Sequence, residues 1–235
     1  MAISTCGLVR THKSYRSFDD IYGTDTGYVA VENLQIDSAN KEHGHPYEPM
    51  PMRLFEKLLK RMKVRYEDYA FLDLGSGKGR TLLLASNYPF KKVTGVEYSL
   101  YLHKVALKNI AQYKSHHQRC FNVESVHMDA TEYTFPLEPT IFFFFNPFDE
   151  KIMRTVMTKI RKSLDRNPRD AKFLYYIPRH AYLFYELGFS RDQLSFHEAT
   201  LRNIRESVRD PIVRFGPDRS IGSSIPRSAG TMSAR

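Results

Sequence analysis

Three glycines, Gly75, Gly77 and Gly79, alternate through FLDLGSGKGRTLLLAS, directly after an apolar run that contains Asp73 and directly before another. Glycine reaches positive φ without strain and lets a ligand approach backbone where a Cβ would collide, so the spacing reads as a cradle for a cofactor. A phosphate loop requires GxxxxGK[ST]; here Lys78 is followed by Gly79 and position 72 is Leu, so that pattern fails. The dinucleotide fingerprint GxGxxG also fits poorly, because the third glycine falls one place early and Arg80 stands where it should be.

Further along, Glu97 closes VTGVE, Asp129 stands in HMDA, and Asn146, Pro147 and Phe148 follow TIFFFF. A carboxylate at a strand end can hold hydroxyl groups with its two acceptor oxygens, and it can equally cap a helix or start a turn. An Asn-Pro pair serves a plain turn as well as a site. His43, His45 and Tyr47 precede the glycines in a polar stretch and are the candidate bases for a nucleophile that must lose a proton; histidines in polar loops are more often simply solvated.

These residues need a frame that brings strand ends together. Leu54, Phe55, Leu58, Leu59 and Met62 recur at helical spacing after Pro51, and apolar runs then alternate with helical patterns: YAFLDL, GRTLLLAS, KKVTGVE, LYLHKVALKNIAQY, NVESVHM, TIFFFF, EKIMRTVMTKIRKSL, AKFLYYI and HAYLFYEL. Fully apolar strands separated by helices predict a parallel sheet covered on both faces, a doubly wound α/β fold. QLSFHEATL and DPIVRF predict two final strands as an antiparallel edge pair, and the Ser, Gly and Pro rich end predicts a mobile tail. The expected divisions are an N-terminal extension covering the site over 1–49, the α/β domain over 50–216 and a tail over 217–235. In such a sheet ligands sit at the carboxyl ends of the strands, where the winding direction switches, and the glycine turn falls there.

The DxGxGxG pattern with Asp73, followed by Glu97, Asp129 and NPF in that order, resembles the seven-strand S-adenosylmethionine-dependent methyltransferases. From Asp19 to about Phe215 the chain is similar to bacterial methyltransferase-domain proteins of mostly unassigned substrate, through YGTDTGY, YEPMP and DLGSGKGR. The resemblance implies a Rossmann-like sheet of seven strands and S-adenosylmethionine as cofactor, with S-adenosylhomocysteine as product. It implies cofactor contacts from Tyr47, Asp73, Gly75, Gly77, Gly79, Glu97, Asp129 and Asn146: Glu97 on the ribose hydroxyls, Asp129 on the adenine amino group. Asn146, Pro147 and Phe148 look like a shortened (N/D)PP(Y/F) motif of amino-methylating enzymes and would form the catalytic wall, with no metal. YEP resembles the YTP segment of some adenine methyltransferases, with Glu48 in place of Thr, while DLGSGKGR with GVE is similar to seven-strand histone-lysine methyltransferases. The implied activity is methyl transfer to an amino nitrogen of nucleic acid or protein; the alternatives are a small-molecule methyltransferase and a non-catalytic protein that binds S-adenosylmethionine or nucleic acid.

Bulk properties bound these readings. The 235 residues carry 35 Lys and Arg against 26 Asp and Glu, a formal charge of +9, which suits an anionic partner or a mere solubility surplus. Two cysteines, Cys6 and Cys120, form neither a disulfide framework nor a zinc knuckle and read as reduced thiols. No apolar stretch reaches the roughly 18 residues of a membrane span, and the first residues lack a signal-peptide core, so the expectation is a cytoplasmic protein with no membrane partner.

Overall fold

The computed structural model describes residues 18–34, 45–190 and 193–196. Six strands form one sheet in the order β3-β2-β1-β4-β5-β6: β1 Ala70–Leu74, β2 Val93–Glu97, β3 Val123–His127, β4 Thr140–Phe145, β5 Ala171–Tyr176 and β6 Leu194–Phe196. Every neighbouring pair is parallel. From Met52 onward the α-helices among the described residues are α1 Met52–Met62, ahead of β1, α2 Arg80–Ala85, α3 Leu100–Gln112, α4 Glu150–Arg166 and α5 Tyr182–Glu186.

The period-two alternation of the strands decides the layers. Leu72, Leu74, Phe142, Phe144, Phe173 and Tyr175 point to one face, where Ile152, Met153, Val156, Met157, Ile160 and Leu164 of α4 and Leu183 and Phe184 of α5 cover them. Phe71, Ile141, Phe143 and Leu174 point to the other and meet Phe55, Leu58 and Leu59 of α1 and Leu82, Leu83 and Leu84 of α2. A sheet buried on both sides requires apolar residues at every strand position, which is why TIFFFF runs without a polar break after Thr140. Helix starts are set by side chains. Ser99 accepts from the Leu102 N–H at 3.3 Å before α3, and Asp149 accepts from the Ile152 N–H at 3.0 Å before α4.

β1 has β2 on one side and β4 on the other, so the winding reverses between β1 and β4 and opens a crevice at their carboxyl ends. At the far edge β6 pairs with β5 in parallel, Phe173 opposite Leu194. The expected antiparallel edge pair needed a strand over 210–215; that segment, and with it the seventh strand, lies outside the described residues, as do Cys6, His43 and the tail. Cys120 is buried and free. Among the described residues no helix is long and apolar enough to cross a membrane.

The stretch ahead of α1 is ordered by long-range contacts. Residues 18–22 are helical, and Val29 and Tyr47 exchange backbone hydrogen bonds of 3.1 and 2.9 Å as an antiparallel bridge. Phe18 and Met50 join the core beside α1 and α2, and Val29, Leu34 and Tyr47 pack on Leu102 of α3.

Candidate functional site

The turn from β1 to α2 is held by the end of β2. The N–H groups of Gly75 and Ser76 donate to the Val96 carbonyl at 2.9 and 3.1 Å, and the Gly77 N–H donates to Glu97 Oε2 at 2.8 Å. Glu97 Oε1 accepts from the Ser99 N–H at 2.8 Å, so one carboxylate ties the glycine turn to the start of α3. The Tyr98 backbone also donates to this carboxylate, which has acceptor capacity beyond these donors. Burial drives the Glu97 carboxyl up to about 7 against those backbone donors. Burial, and then the charge of Glu97, push Asp73 well above the carboxylate range, opposed by a hydrogen bond with Thr81.

The turn has no room for a side chain. Gly75 and Gly77 sit at φ +87° and +56°. A Cβ on Gly75 would lie 2.5 Å from Pro147 Cβ, and one on Gly77 would intrude on the ring of Tyr47. Gly79 is not among the residues that line the cleft. Its φ of +81° starts α2, and its bare Cα lets that helix approach Ala106 of α3, where a Cβ would stand 3.2 Å from another.

The cleft above the turn encloses about 190 Å³. It brings together Tyr47, Asp73, Gly75, Gly77, Glu97, Asp129, Asn146, Pro147 and Phe148, and adds His45, Glu48, Tyr98, Ile177 and Arg179, which sequence reasoning did not place as site residues except His45. Asp129 lies at its rim, where Oδ1 accepts from the Thr131 N–H and hydroxyl at 2.8 and 2.7 Å, the turn-forming alternative for this residue. Tyr47 is a buried neutral phenol whose hydroxyl donates to the Thr26 carbonyl at 3.4 Å; burial raises its pKa far beyond the useful range of a base, so it is a wall. His45 lies near His180, whose basicity burial lowers.

Asn146 has φ +44° and Ile177 has φ +51°, the left-handed region, and each precedes a proline at the end of neighbouring strands β4 and β5. Asparagine tolerates this region, whereas a β-branched residue there is strained, and such strain gathers at functional sites. The buried oxygens Ser76 Oγ, Tyr98 Oη and Asn146 Oδ1 have no hydrogen-bond partner, and all three residues line the cleft. Buried polar atoms are rarely left so, and their gathering in one cleft fits a polar ligand. The donor and acceptor set suits a nucleoside with an amino-acid tail: a carboxylate with spare acceptor positions, a glycine turn and scattered hydroxyls. No group of three or more His, Cys, Asp or Glu able to hold a metal occurs among the described residues.

No family model matches the chain. No curated protein matches it either. Among solved structures it is similar to the 23S rRNA methyltransferase ErmE, with 18% identity and a TM-score of 0.40 over 52% of this chain and 43% of that one. An RNA methyltransferase from Salinibacter ruber, in complex with S-adenosyl-L-homocysteine, gives 21% and 0.38 over 54% and 78%. The glycopeptide N-methyltransferase MtfA gives 18% and 0.43 over 55% and 54%. This chain therefore spans about half the length of the rRNA and glycopeptide enzymes. Similarity at this level does not bear on substrate or activity.

The largest omission of the sequence reading lies behind the turn. Arg80, noted there only as a break in the dinucleotide pattern, is 1% exposed. Its Nε donates to Thr26 Oγ1 at 2.6 Å, a guanidinium nitrogen lies 3.5 Å from Asp19 Oδ1, and the group stacks 4.3 Å from the Phe18 ring centroid. Lys78, also buried, donates to Asp25 Oδ1 at 2.6 Å. Asn109 of α3 donates to the carbonyls of Asp25 and Lys78 at 2.7 and 2.8 Å and accepts from the Asp25 N–H at 2.9 Å. Two cations beside a run of apolar helix, answered by Asp19 and by the acid and hydroxyl of Asp25 and Thr26 in YGTDTGY, were the available signal.

Proposed function

We propose that the protein is an S-adenosylmethionine-dependent methyltransferase acting on an amino nitrogen of a nucleic acid or protein. One observation carries the reading: a glycine turn closed on a buried strand-end carboxylate, at the switch point of a parallel sheet, facing a cleft in which three buried oxygens lack partners.

Glu97 would take the ribose hydroxyls on its remaining acceptor positions, Asp129 the adenine amino group, and Tyr47, Gly75 and Gly77 the space beside the turn. S-adenosylmethionine supplies an electrophilic methyl on a cationic sulfur and leaves as S-adenosylhomocysteine. The acceptor side belongs to Asn146, Pro147 and Phe148. Asn146 Oδ1 accepts from an amino N–H and so turns the nitrogen lone pair toward the methyl, Pro147 fixes the turn, and the Phe148 ring gives a flat wall. Holding nucleophile and methyl in line contributes on the order of 7 to 11 kcal/mol. As the new nitrogen–carbon bond forms, the carbon–sulfur bond breaks and the nitrogen sheds a proton, for which His45 is the base in the cleft wall.

A second reading, a small-molecule acceptor, is favoured by the small volume of the cleft, about 190 Å³, with Leu34, His45 and Glu48 among its lining. Incubating the protein with methyl-labelled S-adenosylmethionine and fractionated cell extract distinguishes the two. Label in protein, RNA or DNA supports the first, label in the low-mass fraction the second. No binding of S-adenosylhomocysteine by calorimetry rejects both.

A further inference from the structure

The cleft is smaller than the roughly 300–1,000 Å³ of ordinary small-molecule pockets, because the Tyr47 ring lies over Gly77 and its neighbours Leu34, His45, Pro46 and Met50 complete the wall. That wall belongs to the segments 18–34 and 45–50, ahead of the α/β domain. They hold one another through the Val29–Tyr47 bridge and the Tyr47 hydroxyl on Thr26. Apolar contacts of Phe18, Met50, Val29, Leu34 and Tyr47 hold them to the domain together with polar ones from the back of the glycine turn: Arg80 on Thr26 and Asp19, Lys78 on Asp25, Asn109 on the backbone of Asp25.

From this arrangement we infer that Arg80 is a positioning residue for cofactor binding. Arg80 is not among the residues that line the cleft, although its charge acts on Tyr47, which does. Its guanidinium fixes Thr26, which also receives the Tyr47 hydroxyl on its carbonyl and donates its own hydroxyl to Asp19 Oδ1 at 2.6 Å. The chain of contacts thus runs from the helix of the glycine turn, through the N-terminal strap, to the ring that covers the turn. The stretch that carries the glycine turn thus also holds, through Lys78 and Arg80, the segment that covers it. The inference rests on the cofactor reading above.

Replacing Arg80 by Met keeps the buried stem and removes the fork; Arg80→Lys restores one charge without the fork geometry. Hydrogen exchange of the ligand-free protein is read over 18–34 and 45–50 against β1 and β4, together with the dissociation rate and affinity of S-adenosylhomocysteine. In Arg80→Met, exchange of the strap should rise while the sheet stays protected, and the ligand should leave at least about tenfold faster, the worth of one hydrogen bond to a charged group. Arg80→Lys should fall between. Should Arg80→Met fail to fold, Thr26→Val, which removes the hydroxyl between Arg80 and Asp19, should shift both readouts in the same direction, by about threefold or more. Faster strap exchange with unchanged ligand kinetics would show a merely structural arginine and overturn the inference, as would an unmoved strap. If the wild-type protein binds no S-adenosylhomocysteine, the functional reading falls, while the ligand-free exchange still reports whether Arg80 holds the segment of Tyr47.

Discussion

Glu97 combines two duties that pull on its proton in opposite directions. Its ordinary pKa of 4.5 rises to about 7 in the folded protein because burial disfavours the charge. Between those values the folded chain holds more protons than the unfolded one, so this group's contribution to stability falls as pH rises through 4.5 to 7. On the proposed function ribose hydroxyls would donate to the ionised form, so cofactor binding should run the other way. S-adenosylhomocysteine affinity should weaken below about pH 7, by up to about tenfold per pH unit, while the ligand-free protein gains thermal stability. Asp73, its buried neighbour, titrates in the same field, so Glu97→Gln provides the control. In that variant the Glu97-dependent part of the slope should be lost and binding should be weaker by roughly 1.5 to 3 kcal/mol. Calorimetry at several pH values checks both; a slope in Glu97→Gln equal to that of the wild type would remove Glu97 from the ribose. Asn146 permits an equally sharp test, because its φ of +44° makes glycine the least strained replacement. Asn146→Gly should lower turnover about 100-fold while leaving the thermal midpoint and S-adenosylhomocysteine affinity near wild type, since the lost contact belongs to the acceptor. Retained turnover would leave Asn146 a turn residue.

At the level of elements, the glycines separate into two kinds. Gly75 and Gly77 line the cleft and Gly79 seats α2 on α3. Gly79→Ala should therefore cost about 1–2 kcal/mol of stability for its left-handed backbone and leave cofactor affinity unchanged. Gly77→Val should lose both, because its side chain would displace Tyr47. Chemical denaturation paired with calorimetry tells these apart. Strands and helices were legible in the sequence because each writes its burial into a local period. The apolar run of β4 and the spacing of Ile152, Val156, Ile160 and Leu164 in α4 need no distant partner to be read. Glu97 and the NPF turn were legible through their places at strand ends. The strap was not: its order comes from hydrogen bonds between residues 84 apart, Asp25 and Asn109, and from an arginine buried against a threonine. Composition there says only polar loop. Ile177 was missed for a similar reason, since a left-handed isoleucine follows no propensity.

On the scale of the whole molecule, the charge of +9 is not concentrated among the described residues that line the cleft. Glu48, Asp73, Glu97 and Asp129 line it against the single guanidinium of Arg179. A polyanion such as heparin should therefore leave S-adenosylhomocysteine affinity unchanged at ordinary salt; competition would place the basic surface at the mouth. The strap also bears on how the chain reaches its native state. Its contacts close loops of some 50 to 84 residues, and loop closure of that span follows the assembly of the sheet rather than leading it. The strap, which precedes the sheet along the chain, would then be among the last parts to settle, waiting for α3 to present Asn109. The sequence contains no tryptophan, so Tyr28→Trp, at a half-exposed strap position, introduces a single fluorophore. Its signal during refolding should lag the far-ultraviolet change that reports the sheet, and coincident phases would show that strap and sheet form together.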